Sequence, residues 1–244
     1  MAKYGSDKVG FVLIDGYDVL GVTTRLEDEV EALLDETTAL GDSWQSQKYV
    51  GLRQVTLTQE GFFDDASNSA HDALGGKSGE SRVLCYNLTG NTIGQEFTGH
   101  AGALQTNYSV VASRGELHRA NASYQGAGEV EEGLILHPHT ARTADGDTKS
   151  TPVQHGSSST NGGTAYLQVS DLTLGDYTNA VIRVLERNGA TWDTLTTFTA
   201  VTTSPIAERV TVAGTVEQDL AVEWEFTGTG SDPSITFAVG FVRN

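Results

Sequence analysis

The chain has 244 residues, 38% of them hydrophobic, and carries 32 acidic against 15 basic residues for a net charge of −17. That is enough apolar material for one large or two modest packed domains, and it excludes a disordered tail. A surface this acidic repels phosphate, which argues against specific wrapping of nucleic acid or docking on anionic membrane, and the single Cys85 excludes an intrachain disulfide framework and a Cys-rich zinc site.

Residues 1–8 contain no apolar signal core, so export is not expected. No apolar run approaches the ~20 residues of a membrane span. Two apolar runs, 9–14 and 17–22, flank Asp15-Gly16, a strong hairpin signal. Residues 26–40 place Leu26, Val30, Leu33 and Leu34 at i, i+4, i+7 and i+8, the spacing of a short amphipathic helix. The same stretch carries Glu27, Asp28, Glu29, Glu31, Asp35 and Glu36 with no base between them: a solvated face, or an acidic loop turned to a partner subunit or a lumen. Residues 49–58 read as a strand with Val55 and Leu57 inward. Residues 65–74 read as a helix stopped by Gly75-Gly76. Residues 81–88 read as a strand buried on both faces, with further strands over 102–114, 117–125 and 130–137.

A composition break follows at 143–163, which is almost free of apolar residues and rich in Gly and Ser. Beyond it six short strands are expected, over 165–169, 180–186, 194–200, 208–212, 220–226 and 235–242, separated by turn signals such as Asn188-Gly189 and Ala213-Gly214. The chain therefore reads as mainly β, with a first domain over 1–143, a flexible linker over 144–163 and a C-terminal β-sandwich over 164–244.

Chemistry is sparse. His137-Pro138-His139 could converge on a metal from one strand face, but no third ligand lies at a typical spacing. Asp15-Gly16-Tyr17-Asp18 and Asp145-Gly146-Asp147 are calcium-loop fragments without the distal Glu. Gly75-Gly76-Lys77-Ser78-Gly79 follows a helix and does not lead into one, as a phosphate loop would. No nucleophile motif is present, so no enzyme, catalytic residue, cofactor or metal site is expected.

One segment is more specific. Residues 37–44, Thr-Thr-Ala-Leu-Gly-Asp-Ser-Trp, precede a strand from Gly51 to Gln59 that ends in Glu60-Gly61-Phe62-Phe63-Asp64, and Ala70-His71-Asp72-Ala73-Leu74 follows. This pattern resembles the tail tube (major tail) proteins of long-tailed bacteriophages over roughly residues 8–140. The C-terminal part, with Trp192 and Leu195 leading to Phe198 and Ala200-Val201, resembles β-sandwich add-on domains of phage structural proteins. The resemblance implies a fold of a β-sandwich or barrel with one short helix and a long loop. It implies a structural virion protein of the tail, assembled in the host cytoplasm, whose copies form hexameric rings that stack into a tube. Its partners would then be itself, the tape measure, the tail terminator and the baseplate or tail-tip proteins, with DNA only a transient cargo in an acidic channel. The long loop would bridge rings, burying Leu26, Val30, Leu33, Leu34 and Trp44 at the joint. The C-terminal domain would stand outside the tube, which favours a non-contractile tail. The alternative is a head decoration or host-surface, carbohydrate-binding virion protein. There Trp192 would stack on a glycan, although its place in the strand favours core packing.

Overall fold

The computed structural model describes residues 5–38, 47–126 and 128–244. Among them the chain order is β1 (Phe11–Ile14), β2 (Tyr17–Asp18), β3 (Thr23–Glu36), β4 (Gln47–Phe62), α1 (Ala70–Leu74), β5 (Ser81–Asn87), β6 (Glu96–Val111), β7 (Arg119–Gln125) and β8 (Val130–Arg142), then β9 (Gly146–Asp147), β10 (Val153–Gln154), β11 (Gly163–Thr173), β12 (Asn179–Asn188), β13 (Thr191–Thr197), β14 (Ile206–Val212), β15 (Asp219–Thr227) and β16 (Ser234–Arg243). The fold is mainly β, as expected.

The large sheet runs β14-β11-β16-β8-β6-β5-β1-β2, and β7, β4 and β3 branch from β6. The branch arises because β8 and β7 share one edge of the long strand β6. Residues 96–100 pair with β8, residues 104–111 pair with β7, and β5 occupies the opposite edge. The sheet forks there and its two continuations cover opposite faces of β1, β5 and β6. Strand β1 records this residue by residue. Phe11 and Leu13 belong to a core shared with Cys85, Phe97, Ile135, Tyr166 and Val242. Val12 and Ile14 belong to another, with Leu57, Leu74, Leu84, Ala122 and Tyr124. A third core lies on the far side of β11 and β16, where Leu167, Val169, Phe237, Val239 and Phe241 meet Ile182, Val184, Val222 and Trp224 of the second sheet, β10-β15-β12-β13 with β9. Strands packed on both faces must be apolar at successive positions, which is why residues 11–14 and much of 163–169 and 235–242 lack an alternating pattern. Each large aliphatic or aromatic side chain so buried contributes about 1.5–3 kcal/mol.

Polar side chains pin the layers. Asp15 and Gly16 both have positive φ, the geometry of a type I′ hairpin turn. Gly16 approaches Val169 and Ile206 so closely that a Cβ would lie 2.4 Å from their backbone atoms. Its N–H donates to Gln168 Oε1 at 2.6 Å, and Gln168 Nε2 donates to the Val83 carbonyl at 3.1 Å, so the β1–β2 turn closes onto β11. Asp15 also accepts from the Val83 N–H at 2.7 Å and pairs with Arg82. Arg82, only 2% exposed, further donates to the Ala73 carbonyl at 2.7 Å and to Gln105 Oε1 at 3.3 Å, tying turn, helix end and two strands together.

Several expectations are corrected. Residues 26–36 form strand β3 and not a helix. Leu26, Val30 and Leu34 differ by even numbers, so their spacing fits one strand face as well as a helix face, and Leu33 falls at a register shift between Ala32 and Leu34. The helix ending at Leu74 is only five residues long. Leu88, expected inside, is exposed. Residues 144–163 are not a free tether. The Thr148 N–H and hydroxyl bond to Val222, Asp145 caps the Phe226 N–H, and Val153 is buried. Their polar composition serves hydrogen bonding to β15. Strands from both sides of the expected boundary also share one sheet, since β8 pairs with β16.

The Arg82→Met variant should lose about 3 kcal/mol of stability, because Asp15, Gln105 and the Ala73 carbonyl lose their shared donor. A lowered urea midpoint at unchanged m-value is the expected reading.

Candidate assembly surface

Strands β3 and β4 form a long hairpin whose two halves have different surroundings. From Thr56 to Phe62, β4 has β7 on its other edge. Here Leu26 and Asp28 of β3 face inward beside Gln59 and Leu57. Asp28 is the anchor: its Oδ2 accepts from the Tyr86 hydroxyl at 2.6 Å and from His100 Nε2 at 2.7 Å. An ionised carboxylate only accepts, so the imidazole proton sits on Nε2. Burial works to raise the Asp28 pKa, but the hydrogen bonds from His100 and Tyr86 outweigh it and hold the carboxyl below its ordinary range. Burial, reinforced by Asp28, pushes the Tyr86 phenol up.

Past Val55 the hairpin leaves the body. Residues 30–36 of β3 are exposed throughout, and β4 from 47 to 55 has only β3 as a strand partner. This free ribbon displays apolar side chains: Val30 at 50% exposure, Leu34 at 56%, Leu52 at 62% and Leu33 at 37%. Glu29, Glu31, Asp35 and Glu36 lie among them, and among the described residues none has an ion-pair partner. Isolated two-stranded ribbons are marginal, and an open strand edge invites pairing with another chain. Between the ribbon and the β7–β8 turn lies an open groove of about 820 Å³, lined by Val30, Leu52, Val55, Val130, Glu129 and Glu132 among others.

The site residues read from sequence divide accordingly. Val30, Leu33 and Leu34 stand together on the exposed ribbon, whereas Leu26 packs partly against the core beneath it. Trp44 lies outside the described residues. Trp192 sits on β13 at the end of the second sheet, opposite Arg187, half-buried and in none of the three cores; Phe198 and Val201 fill that role. The groove and the exposed β6–β7 hairpin carrying Arg114, Leu117 and Arg119 have no counterpart in the sequence reading. Leu52, between Gly51 and Arg53, and Leu117, between Glu116 and His118, were the available signals, since both are exposed and neither lies in an apolar run.

The histidine pair does not converge. His137 stacks on Phe237 with ring centroids 4.0 Å apart and accepts from Arg142 Nε at 2.8 Å, while His139 contacts Ser170 Oγ at 2.8 Å. Among the described residues no group of three His, Cys, Asp or Glu side chains is arranged to hold a metal. Asp18 caps the Leu20 N–H and Asp147 caps the Lys149 N–H.

No protein-family model matches the chain, and no curated protein sequence matches it. Among solved structures the chain is similar to a chain from the tail of an empty gene transfer agent particle refined helically with C6 symmetry, at 16% identity and a TM-score of 0.38, covering 53% of this chain and 97% of that one. It is similar to a chain of the native gene transfer agent virion at 14% identity and a TM-score of 0.39, over 53% and 97%. A third similarity is to the SPP1 Dit protein of the hub adsorption apparatus in phages infecting Gram-positive hosts, at 9% identity and a TM-score of 0.31, over 96% and 99%. Likenesses this loose assign no function.

Burial, helped by the Arg142 guanidinium, lowers the His137 pKa from 6.5 to about 3. The unfolded chain therefore binds this proton below pH 6.5 while the folded chain does not until about pH 3, so stability is full above pH 6.5 and is lost as pH falls between those values. Between pH 7 and pH 5 the wild type should lose about 2 kcal/mol more than a His137→Phe variant, read from urea unfolding at the two pH values.

Proposed function

We propose that this chain is a structural subunit of a phage tail, a ring-forming tube protein whose copies stack into a conduit for DNA. The observation that carries the reading is the β3–β4 ribbon, which rises free of the packed body with exposed apolar side chains and with carboxylates that have no ion-pair partner among the described residues. A folded monomer gains nothing from such a ribbon, whereas in an assembly Val30, Leu33, Leu34 and Leu52 become buried at a joint between copies. The sequence pattern over residues 37–64 and 70–74 points the same way.

In this reading the subunits close into a ring, six by the resemblance, and the carboxylates turned to the lumen repel DNA phosphate at every height, so the cargo passes without sticking. The large sheet, which includes β11, β14 and β16 beside the strands of residues 1–143, builds the ring. The second sheet, contributed mainly by residues 164–244, stands on the exterior of a non-contractile tail. Tape measure, terminator and tail-tip proteins meet the tube along its bore and at its ends. The alternative of a decorating or glycan-binding virion protein draws on Trp192, half-exposed on an edge strand. A glycan array on which the wild type binds and Trp192→Ala does not would favour it.

Electron microscopy of the concentrated full-length protein should show rings or tubes. Replacing residues 31–52 with a two-residue turn should leave a folded monomer, with a melting temperature within a few degrees of wild type, and abolish the tubes. A protein that stays monomeric at every concentration, with no tube of it in virions, would sink the reading.

A further inference from the structure

In a chain this acidic, cations are scarce, and nearly all are engaged internally. Arg25, Lys77, Lys149, Arg183, Arg187 and Arg209 pair with carboxylates on the surface, and Arg82 does so in the interior. Arg142 bonds His137 and covers Trp224, and Arg243 bonds backbone carbonyls. Arg53, Arg114 and Arg119 are different. Among the described residues none of the three has a carboxylate partner and all are exposed, and Arg119 only lies over the Phe62 ring. Arg53 stands on the ribbon itself, whereas Arg114 and Arg119 sit on one feature, the hairpin joining β6 to β7, with a single acid, Glu116, between them. The hairpin also carries Leu117, at 72% the most exposed large apolar side chain described, with Val110 and Val111 beside it. A tip that is both greasy and cationic suits a surface that is both greasy and anionic.

The chain carries such a surface. The groove beneath the ribbon joins Val30, Leu52 and Val130 with Glu129 and Glu132, two acids against the single base Arg53, and among the described residues no ion pair engages either glutamate. Tip and groove cannot meet within one molecule. Arg119 pairs in register with Phe62 and Gln125 with Thr56, so the two features stand at opposite ends of β7, about 20 Å apart at the rise of a strand. A complementary knob and hole at opposite ends of one subunit make a heterologous contact, which closes as a ring or extends as a stack.

We infer that the β6–β7 tip of one copy docks into the ribbon groove of the next, with Leu117 against Leu52 and Val30, and Arg114 and Arg119 facing Glu129 and Glu132. This rests on the self-assembly reading and names its contact. A second copy is the occupant because its tip sets two guanidinium groups and an exposed leucine against a groove with an acidic excess and an apolar wall.

The test is charge reversal in the full chain. Arg114→Glu with Arg119→Glu should leave a protein with wild-type circular dichroism and melting, but reduce the pelletable assembly at least tenfold. Glu129→Arg with Glu132→Arg should do the same alone. The four changes combined should restore assembly. Mixing Leu117→Cys copies with Leu52→Cys copies under mild oxidation should give disulfide-linked dimers absent from either alone, the native Cys85 being buried. If the tip variant assembles like wild type while removal of the ribbon still abolishes tubes, this contact is wrong and the tube reading stands. If both charge variants fail and their combination does not recover, the tip meets some other chain and the inference is overturned. If the wild type never assembles, both readings fall together.

Discussion

The fold depends on one constraint: strand β6 is too long for any single neighbour. Its first residues take β8 and its last take β7 on the same edge, while β5 holds the other. Two strands laid end to end on one edge cannot both stay in plane in a twisted sheet. The continuations part, and each folds over one face of the strands they leave. Everything else follows from that parting. The central strands become buried twice, the branch through β7 carries the ribbon, and the branch through β8 carries the platform for the second sheet.

Double burial also explains where the polar groups go. A sheet sealed on both faces must satisfy any side-chain donor it traps, and Arg82, Gln105, Gln168 and Asn87 each find carbonyl or carboxylate partners there. These residues act as fasteners between layers that hydrophobic contact alone would let slide. They also withdraw cationic charge from the surface, along with the other internal pairs. Among the described residues the exterior is therefore acidic in a patterned way, with carboxylates lacking ion-pair partners along the ribbon, beside the single Arg53, and two guanidinium groups lacking them at one hairpin tip.

Much of this was legible in the residues. The Asp15-Gly16 turn, the inward Val55 and Leu57, and all six C-terminal strands lie where hydrophobic pattern and turn chemistry put them. The ribbon was not legible as a strand. Leu26, Val30 and Leu34 are spaced by four, which both periods allow, and its acidic residues have poor strand propensity, so pairing with β4 overrode the local signal. The segment 144–163 misled for the opposite reason: it looks like a tether because it holds few apolar residues, yet its hydrogen bonds to β15 are made by Thr148, Asp145 and backbone groups that any polar loop could offer. As for the candidate site, Val30, Leu33 and Leu34 of the ribbon entered through the resemblance to tail tube proteins, which makes their segment a joint between rings, while Leu52 carried no signal of that kind. The groove was invisible because it is assembled from three stretches that only the fork of the sheet brings together.

Strand β16 has a consequence for synthesis. β16 supplies Ala238 and Val242 to the core around Phe11 and Leu13, and it lies between β8 and β11 in the sheet. A nascent chain emerging from the ribosome can form the β1–β2 turn early, but one face of β1 stays wet until residues 234–243 appear, more than 200 positions later. The N-terminal half must wait, partly open, for its closing strand, and during that interval a net negative charge keeps unfinished chains apart. Removing residues 234–243 would leave that face unsealed. Residues 11–14 and 234–243, far apart in sequence, are thus one cooperative unit, and the core around Phe11 closes only after β16 has been made.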